Sequence, residues 1–473
     1  MKKILFVTSE CEPMTGNASS LGEVSRSLSR MLYRCGFDIR VITPLYASVS
    51  PVYFSRMEYI GSKEVSLSWR KQKCDIYSLN SEGVTYYFIK NENYFDRENL
   101  FGYLDDNERF AYFCKAVVDT MDVTGFYPDL IHANDWQSAL VPVYLRTLRG
   151  FDERETAAKL LFTVQHVDRQ GKCPVDMIED LLGISHHNLC ILENSGKLNF
   201  MKGAIVVSDK ITTVSPNYAR ELESSSVALG LENVIQLNSY KIGGILHGIN
   251  YKKYNPLTDG MIYENYDADS IEKKTINKLR LQEELCLKQR KNVPMISMIT
   301  KLVSKKGVDT VKTAIGSILE KDVQFLMLGQ GDEGYENFFS DLESRYPTKM
   351  RTILMRSDEM AHKIYAGSDF FLMPSQSEPC GRSQMIASRY GTVPIVRKTG
   401  GLADSIIDVS EGGNGYVFLN NNGEELLAAV DRALEGYGNA GFREELIKRV
   451  MKTDFSWEKA AWNYASIYRE MLG

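Results

Sequence analysis

The hydrophobic pattern divides the chain into short apolar runs separated by helical patterns. Such runs, rich in β-branched residues, are typical of buried parallel strands joined by crossover helices. They fall in two sets, residues 4–9, 39–46, 86–90, 129–135, 159–166, 210–215 and 241–248, then residues 293–300, 323–331, 351–356, 369–375 and 392–398. A turn-rich join at residues 247–256 separates the sets. The pattern therefore predicts two α/β domains with a boundary between 245 and 246.

Composition narrows the class of protein. A chain of 473 residues is longer than one hydrophobic core usually organises. The net charge of −5, with both signs interspersed, argues against a nucleic-acid surface. The eight cysteines are scattered without metal-binding spacing, and the start MKKILFVTSE lacks the pattern of a signal peptide. We expect a cytoplasmic protein with reduced cysteines, no nucleic-acid partner and no membrane span.

The candidate chemistry is densest in residues 375–406, SQSEPCGRSQMIASRYGTVPIVRKTGGLADSI. Glu378 stands beside a Pro-Cys-Gly turn that opens a helix, and a strand leads to a second glycine turn at 399–402. Helix starts and glycine turns present free backbone N–H groups that hold phosphates, and a nearby carboxylate accepts sugar hydroxyls. The alternative is an ordinary strand-loop-helix repeat of an α/β domain.

Two further sets of residues lie at predicted strand ends. Lys301 and Lys306 lie on a basic loop that Gly307 closes, where they would neutralise a diphosphate; the alternative is solvated loop lysines. Asp135 follows the strand 129–135, at the edge where α/β sheets bind ligands. Its alternative role is to cap the helix that begins at Trp136.

Together, these segments resemble the bacterial glycogen synthases and plant starch synthases. The resemblance runs through YFDRENLFGYLDDNERFAYFCKA (94–116), PDLIHANDWQSALVPVYL (128–145), NFMKGAIVVSDKITTVSPNYARE (199–221), IYAGSDFFLMPS (364–375) and the SEPCGRSQ region. Members of that family are retaining glucosyltransferases of the GT-B type. The resemblance implies two Rossmann-like domains facing across a cleft, with a last helix, 457–473, that returns to the first domain. It also implies an acceptor-side domain at 1–245 and a nucleotide-sugar-binding domain at 246–456.

The resemblance also implies roles for individual residues. Those implied in catalysis are Asp135, Lys301, Lys306 and Glu378. Those implied in donor binding are Asn17, Gly22, Gln165, His247, Gly329, Gly331, Tyr365, Cys380, Gly381, Ser383, Gln384, Thr399, Gly400 and Gly401. Those implied in acceptor binding are Tyr94, Asp96 and Asn107. For Tyr365, which resembles a residue stacking near the nucleoside, a core position is the alternative.

Three motifs depart from the family pattern. The first glycine loop reads EPMTGNASSLGEV, and no Lys or Arg occurs between Lys3 and Arg26, although the family has a lysine there. The family's Thr-Ile-His-Asn reads Thr-Val-Gln-His at 163–166, and a shift of one residue on a strand predicts that His166 faces away. The family's Asn-Gly-Ile-Asp reads His-Gly-Ile-Asn at 247–250.

The resemblance implies transfer of glucose from ADP-glucose or UDP-glucose to the non-reducing 4-OH of an α-1,4-glucan such as glycogen. This reaction needs no metal, cofactor or covalent intermediate. Because three motifs are altered, the alternative is a diverged synthase paralogue, weakly active or non-catalytic, that binds glucan or a second synthase copy. A GT-B transferase with another donor or acceptor is a third hypothesis.

Overall fold

The structure is a computed structural model that describes residues 1–15, 19–148 and 157–473. The chain forms two compact units, one made of Met1–His247 with Trp457–Gly473 and one made of Gly248–Ser456. The division between 247 and 248 lies just after the 245/246 boundary predicted from the sequence.

The first unit is built on a nine-stranded sheet in the order β12-β11-β7-β6-β1-β2-β5-β4-β3. A separate small sheet has the order β8-β10-β9. The strands are β1 Lys3–Val7, β2 Asp38–Pro44, β3 Glu58–Leu67, β4 Arg70–Ser81, β5 Val84–Lys90, β6 Leu130–Asn134, β7 Lys159–Val164, β8 Lys172–Pro174, β9 Glu193–Asn194, β10 Lys197–Asn199, β11 Lys210–Thr213 and β12 Ile242–Gly244.

Strand β1 lies at the centre of this sheet and fixes its register. It is almost wholly buried and pairs in parallel with β2 on one side, Phe6 opposite Val41, and with β6 on the other, Phe6 opposite His132. Among the described strands of this sheet, β4 alone runs against the others, and it pairs antiparallel with both β3 and β5 near one edge. Every apolar run predicted as a strand forms one, while the hairpin β3–β4 was not predicted.

Helices cover the two faces of the sheet, as crossovers between parallel strands require. They are Ser20–Arg34, Pro51–Phe54, Glu92–Phe95, Asp106–Asp119, Met121–Thr124, Leu140–Thr147, Met177–Asp180, Leu189–Leu192, Phe200–Val207, Pro216–Glu221, Ser225–Ala228, Glu232–Leu237 and Trp457–Leu472, with 3₁₀ turns at Trp136–Ser138, His186–Asn188 and Ser239–Lys241.

The C-terminal helix Trp457–Leu472 is part of the first unit's core, as the resemblance implies. Residues three or four apart make up its buried face, which packs with the helix Ser20–Arg34. The Tyr468 hydroxyl lies 2.7 Å from Nδ1 of His132. Burial lowers the pKa of His132 to about 3, so this histidine is a neutral core residue.

The second unit contains a six-stranded parallel sheet in the order β15-β14-β13-β16-β17-β18. Its strands are β13 Met295–Ile299, β14 Gln324–Leu328, β15 Met350–Ile353, β16 Phe370–Met373, β17 Val393–Arg397 and β18 Tyr416–Phe418. Its helices are Lys274–Glu284, Val308–Glu320, Glu333–Arg345, Asp358–Gly367, Ser383–Arg389, Gly400–Ser405, Gly423–Gly438 and Ala440–Lys452, with 3₁₀ turns at Ile271–Lys273, Ser304–Lys306 and Val409–Glu411. The last strand, β18, was not predicted.

Candidate active site

In the second unit, the strand order creates a gap beside β13. The chain proceeds from β13 to β14 and β15 on one side, then returns to add β16 and β17 on the other. The loops after β13 and β16 therefore leave in opposite directions, and such a switch point is where open α/β sheets bind ligands. Lys306 lies on the loop after β13 and Glu378 on the loop after β16.

The two side chains meet at this switch point. Lys306 Nζ donates to Glu378 Oε2 at 2.6 Å, and the Ser375 hydroxyl donates to the same oxygen at 2.9 Å. The Glu378 side chain is only 10% exposed, whereas that of Lys306 is 31% exposed. A buried carboxylate held by a half-buried ammonium presents both charges to a polar ligand. We call these residues, with Ser375, the Lys306–Glu378 cluster.

Glycines allow the loops around this cluster to touch through their backbones. Gly307 has φ 74°, and a Cβ there would overlap the carbonyl oxygen of Pro374. Gly400 has φ 43°, and a Cβ there would overlap the carbonyl oxygen of Glu378. Gly329, Gly331 and Gly401 approach neighbouring backbone as closely. The loops after β13, β14, β16 and β17 therefore form one packed backbone surface.

The glycine turns open short helices, as predicted. Ser383–Arg389 follows Gly381, which has φ 68°, and Gly400–Ser405 follows Thr399. Gln384 is fully buried, and its amide donates to the Gly381 carbonyl at 2.9 Å and to Ser405 Oγ at 3.0 Å. This side chain therefore ties the two helices together.

Three residues predicted near the donor have different surroundings. The Tyr365 ring is buried, 5.3 Å from Phe371 and 6.1 Å from Tyr390, so the core alternative fits it better than stacking on a nucleoside. Lys301 is exposed at the end of β13, beside the point where Leu302 pairs with Gly331. Cys380 is partly buried between Glu378 and Gly381.

The first unit has a second switch point, beside β1. Its neighbours β2 and β6 continue the chain on opposite sides, and Glu10 follows β1 while Asp135 follows β6. Each of these two residues is 1% exposed. His166, which follows β7, lies with its Nδ1 3.1 Å from Asp135 Oδ2. These three residues form the Glu10–Asp135–His166 cluster.

Asp135 has an unusual backbone conformation. Its φ of 61° and ψ of 176° lie in a region that only glycine adopts without strain. The Asp135 N–H donates to the Thr163 carbonyl at 2.9 Å, which helps to hold this geometry. Its side chain makes no capping hydrogen bond, so the capping alternative is wrong, and Oδ1 is buried without a partner among the described residues. A strained acid with an unused oxygen indicates a ligand-binding role.

The sequence did not indicate Glu10, and it misplaced His166. The Glu10 carboxylate accepts hydrogen bonds from the backbone N–H and the hydroxyl of Ser19, at the start of the helix Ser20–Arg34. Burial raises the pKa of Glu10. The carboxylate of Asp135 raises the pKa of His166 to about 9. The prediction that His166 faces away is wrong because β7 ends at Val164, so strand alternation no longer applies beyond it.

The other predicted donor contacts of the first unit are spread out. Gln165 is half-buried, with Nε2 3.4 Å from Asn134 Oδ1. His247 is 3% exposed and its ring packs on Trp457, which does not favour a ligand contact. Gly22 lies inside a helix, and its carbonyl accepts from the Glu12 N–H at 3.0 Å. Asn17 lies outside the described residues.

The predicted acceptor residues lie on and beside the helix Asp106–Asp119. The buried Tyr94 donates its hydroxyl to Glu108 Oε1 at 2.6 Å. Asn107 donates its amide to the Lys172 carbonyl at 2.9 Å, and Asp96 is exposed at the end of Glu92–Phe95. A ligand that binds Tyr94 or Asn107 would therefore compete with these protein partners for the same hydrogen-bonding groups.

Across the described ranges, no group of three or more His, Cys, Asp or Glu side chains is placed to hold a metal ion. In the same ranges, no helix combines the length and the apolar character that crossing a membrane requires.

Known proteins match this chain over its whole length. Residues 3–237 match the family model of the starch synthase catalytic domain, and residues 286–453 match glycosyl transferases group 1. A glycogen synthase of Anoxybacillus flavithermus is 40% identical over 99% of this chain and 98% of its own. One of Lactobacillus acidophilus is 38% identical over the full length of both.

Comparison with solved structures points to the same family. The catalytic domain of starch synthase IV from Arabidopsis thaliana, bound to ADP and acarbose, superposes with a TM-score of 0.87 at 30% identity, covering 100% of this chain and 99% of that one. Sucrose-phosphate synthase from Thermosynechococcus elongatus, at 17% identity, covers 100% and 99% with a TM-score of 0.60 and shows the fold alone. The two-domain α/β fold is that of the GT-B glycosyltransferases. Within that class, the chain belongs to the glycogen and starch synthase family, which confirms the resemblance read from the sequence.

Proposed function

We propose that this protein transfers glucose from ADP-glucose or UDP-glucose to the non-reducing 4-OH of an α-1,4-glucan, with retention at the anomeric carbon. The observation that carries the proposal is the Lys306–Glu378 ion pair at the switch point of the second sheet. We place the reaction in the cytoplasm.

The proposed reaction assigns a separate task to each charge in the second unit. As the bond to the anomeric carbon breaks, the departing diphosphate gains negative charge, and the Lys306 ammonium stabilises it. Lys301, exposed on the same loop, is a second cation for the diphosphate. Glu378 accepts hydrogen bonds from glucose hydroxyls, as the carboxylate is already oriented by Ser375 at 2.9 Å. The packed glycine loops bring backbone close to the nucleotide.

In the first unit, we assign the glucan acceptor to the carboxylates of Asp135 and Glu10. The unpartnered Oδ1 of Asp135 can accept a sugar hydroxyl without breaking a protein contact. Tyr94, Asp96 and Asn107 extend the acceptor side. The leaving phosphate takes the proton from the attacking 4-OH, so this reaction uses no metal and no covalent intermediate.

One observation keeps the diverged paralogue as a second candidate. Glu10 accepts from the Ser19 N–H, so a carboxylate of the protein itself occupies the start of the helix Ser20–Arg34. Helix starts attract anions, and a phosphate binding at this one would have to displace Glu10. A chain that binds glucan or a second synthase copy without efficient transfer is consistent with that arrangement.

A transfer assay with radiolabelled donors separates the two candidates. Purified protein is incubated with glycogen and either ADP-[¹⁴C]glucose or UDP-[¹⁴C]glucose, and the label in precipitated glucan is counted. We expect incorporation from at least one donor and at least a tenfold loss in Glu378→Gln, which keeps the shape and removes the charge. Glu411→Gln, exposed on a 3₁₀ turn, is the matched control. No incorporation from either donor favours the paralogue.

A further inference from the structure

The first unit's switch point is rich in acids. Glu10 and Asp135 are buried there, and Asp168 is close enough to influence the pKa of His166. The segment from β1 to the helix Ser20–Arg34 contains no Lys, Arg or His between Lys3 and Arg26. An anionic substrate approaching these carboxylates would be repelled unless a cation stands among them.

The buried arginine near this cluster, Arg109, is not accessible from solvent. Burial raises the pKa of the Tyr46 hydroxyl, and the charges of Glu10 and Arg109 affect that pKa in opposite directions. The Arg109 guanidinium donates to Asp106 Oδ1 at 2.6 Å and to the Tyr94 carbonyl at 2.7 Å. Arg109 Nη2 has no hydrogen-bond partner among the described residues, but the side chain is fully buried, so its charge is not accessible to a ligand from solvent.

His166 is placed differently. Its Nδ1 faces Asp135 at 3.1 Å, while 51% of its side chain is exposed. In the imidazolium form both ring nitrogens are donors, so Nδ1–H is held by Asp135 and Nε2–H remains to donate outward. The pairing with Asp135 both fixes the ring and keeps its positive charge.

We propose that His166, paired with Asp135, is the anion-binding group of the first unit and donates through Nε2–H to a phosphate oxygen of a bound nucleoside diphosphate. This inference rests on the proposed function and names a phosphate contact made by the first unit. It also gives Asp135 two tasks, since Oδ2 orients His166 while Oδ1 stays free for a hydroxyl.

The charge of His166 follows from its neighbours. The carboxylate of Asp135 raises the pKa of His166 to about 9, and Asp168 acts in the same direction. His166 is therefore protonated at neutral pH and loses its proton as the pH rises through about 9. Phosphate binding through Nε2–H weakens over that interval.

Calorimetric titration with ADP and with adenosine isolates the phosphate contact. For His166→Gln we expect about a tenfold loss of ADP affinity, the lower end for a hydrogen bond to a charged group because the site is half-exposed. Adenosine, which has no phosphate, should bind equally to both proteins. His166→Lys should keep most of the ADP affinity, and keep it to higher pH than the unmodified protein, because lysine titrates near pH 10.4.

The control is His186→Gln, an exposed histidine on the turn His186–Asn188, which should leave ADP affinity unchanged. Equal ADP affinity in His166→Gln and the unmodified protein overturns the inference and leaves the proposed function standing. Equal losses for ADP and adenosine overturn it as well. Absence of any ADP or UDP binding to the unmodified protein overturns both.

Discussion

The two units share one topological feature, a switch point in a parallel sheet, but build it from different residues. Each has a parallel sheet whose strand order reverses beside one strand, β13 in the second unit and β1 in the first. At the second unit's switch point, backbone packs on backbone around one ion pair, Lys306 with Glu378. At the first unit's, buried carboxylates surround a half-exposed histidine, and Asp135 is strained.

This difference shows which features of a site can be recognised in a sequence. Close backbone approach requires glycine, so the Lys306–Glu378 cluster leaves a readable motif in the chain. The Glu10–Asp135–His166 cluster depends on where β7 ends and on the conformation of one aspartate. Altered motifs in the first unit therefore do not by themselves mean a lost site, since His166 supplies a charge there.

The largest expected effect comes from breaking the second unit's ion pair. Lys306→Ala should lower kcat/KM for transfer by about 10²-fold or more, because one preorganised charge at a developing anion contributes roughly 2–4 kcal/mol. Lys306→Arg should recover part of this. Lys312→Ala, whose ammonium lies against Phe338, should have no such effect. Steady-state kinetics with the preferred donor measures all three, and unchanged kcat/KM in Lys306→Ala would remove the donor assignment.

The next effect separates activity from stability in the first unit. Asp135→Gly should cut transfer at least tenfold, while the melting temperature does not fall, because relief of about 1–3 kcal/mol of backbone strain offsets the lost contacts. Ser195→Gly relieves a similar φ of 53° at an exposed turn and should leave activity intact. Calorimetric scans and kinetics on both variants test this, and a marked fall in the melting temperature of Asp135→Gly would argue that the conformation is not strained.

A smaller effect links His166 to pH. Its pKa is raised from 6.5 to about 9 in the folded chain, so its pairing with Asp135 stabilises fully below about pH 6.5. That stabilisation is lost as the pH rises through about 9. The melting temperature of His166→Gln should therefore lie below that of the unmodified protein at pH 6 and match it near pH 10.

Salt should reduce the gap at low pH, since half of the His166 side chain is exposed. His186→Gln provides the comparison at each pH. A gap that stays constant from pH 6 to 10 would mean that the pairing with Asp135 does not depend on charge.

The smallest expected effect is at Gln165. Gln165→His places an imidazole beside Asn134 at the end of β7, where it can donate to a glucose hydroxyl. We expect a several-fold higher kcat with little change in the donor KM, as for an interaction made mainly in the transition state. Progress curves at saturating donor measure this, and a higher KM without a higher kcat would count against it.

The sequence predicted the architecture well, because buried parallel strands are continuous apolar runs. It missed the hairpin β3–β4, where exposed residues are interspersed with buried ones along both strands, and it missed β18, which is only three residues long. The hairpin lacks the continuous apolar pattern used to recognise strands, and the apolar run of β18 is too short to stand out.

The candidate site was predictable only in part. Lys306 and Glu378 were found because their loops carry motifs, and the structure brings them within 2.6 Å. The residues that flank Glu10 in the sequence form no motif that would mark it as a site residue. His166 was misplaced because the end of β7 cannot be read to within one residue from an apolar run that continues into polar side chains.

If the protein lengthens α-1,4-glucan at its non-reducing ends, newly added glucose lies at those ends. The most direct measurement is to label glycogen with the protein and ADP-[¹⁴C]glucose or UDP-[¹⁴C]glucose, then digest the product with β-amylase, which releases maltose from those ends. We predict that nearly all incorporated label appears in maltose. Label that resists β-amylase, or a glucan that takes up none, would contradict the account.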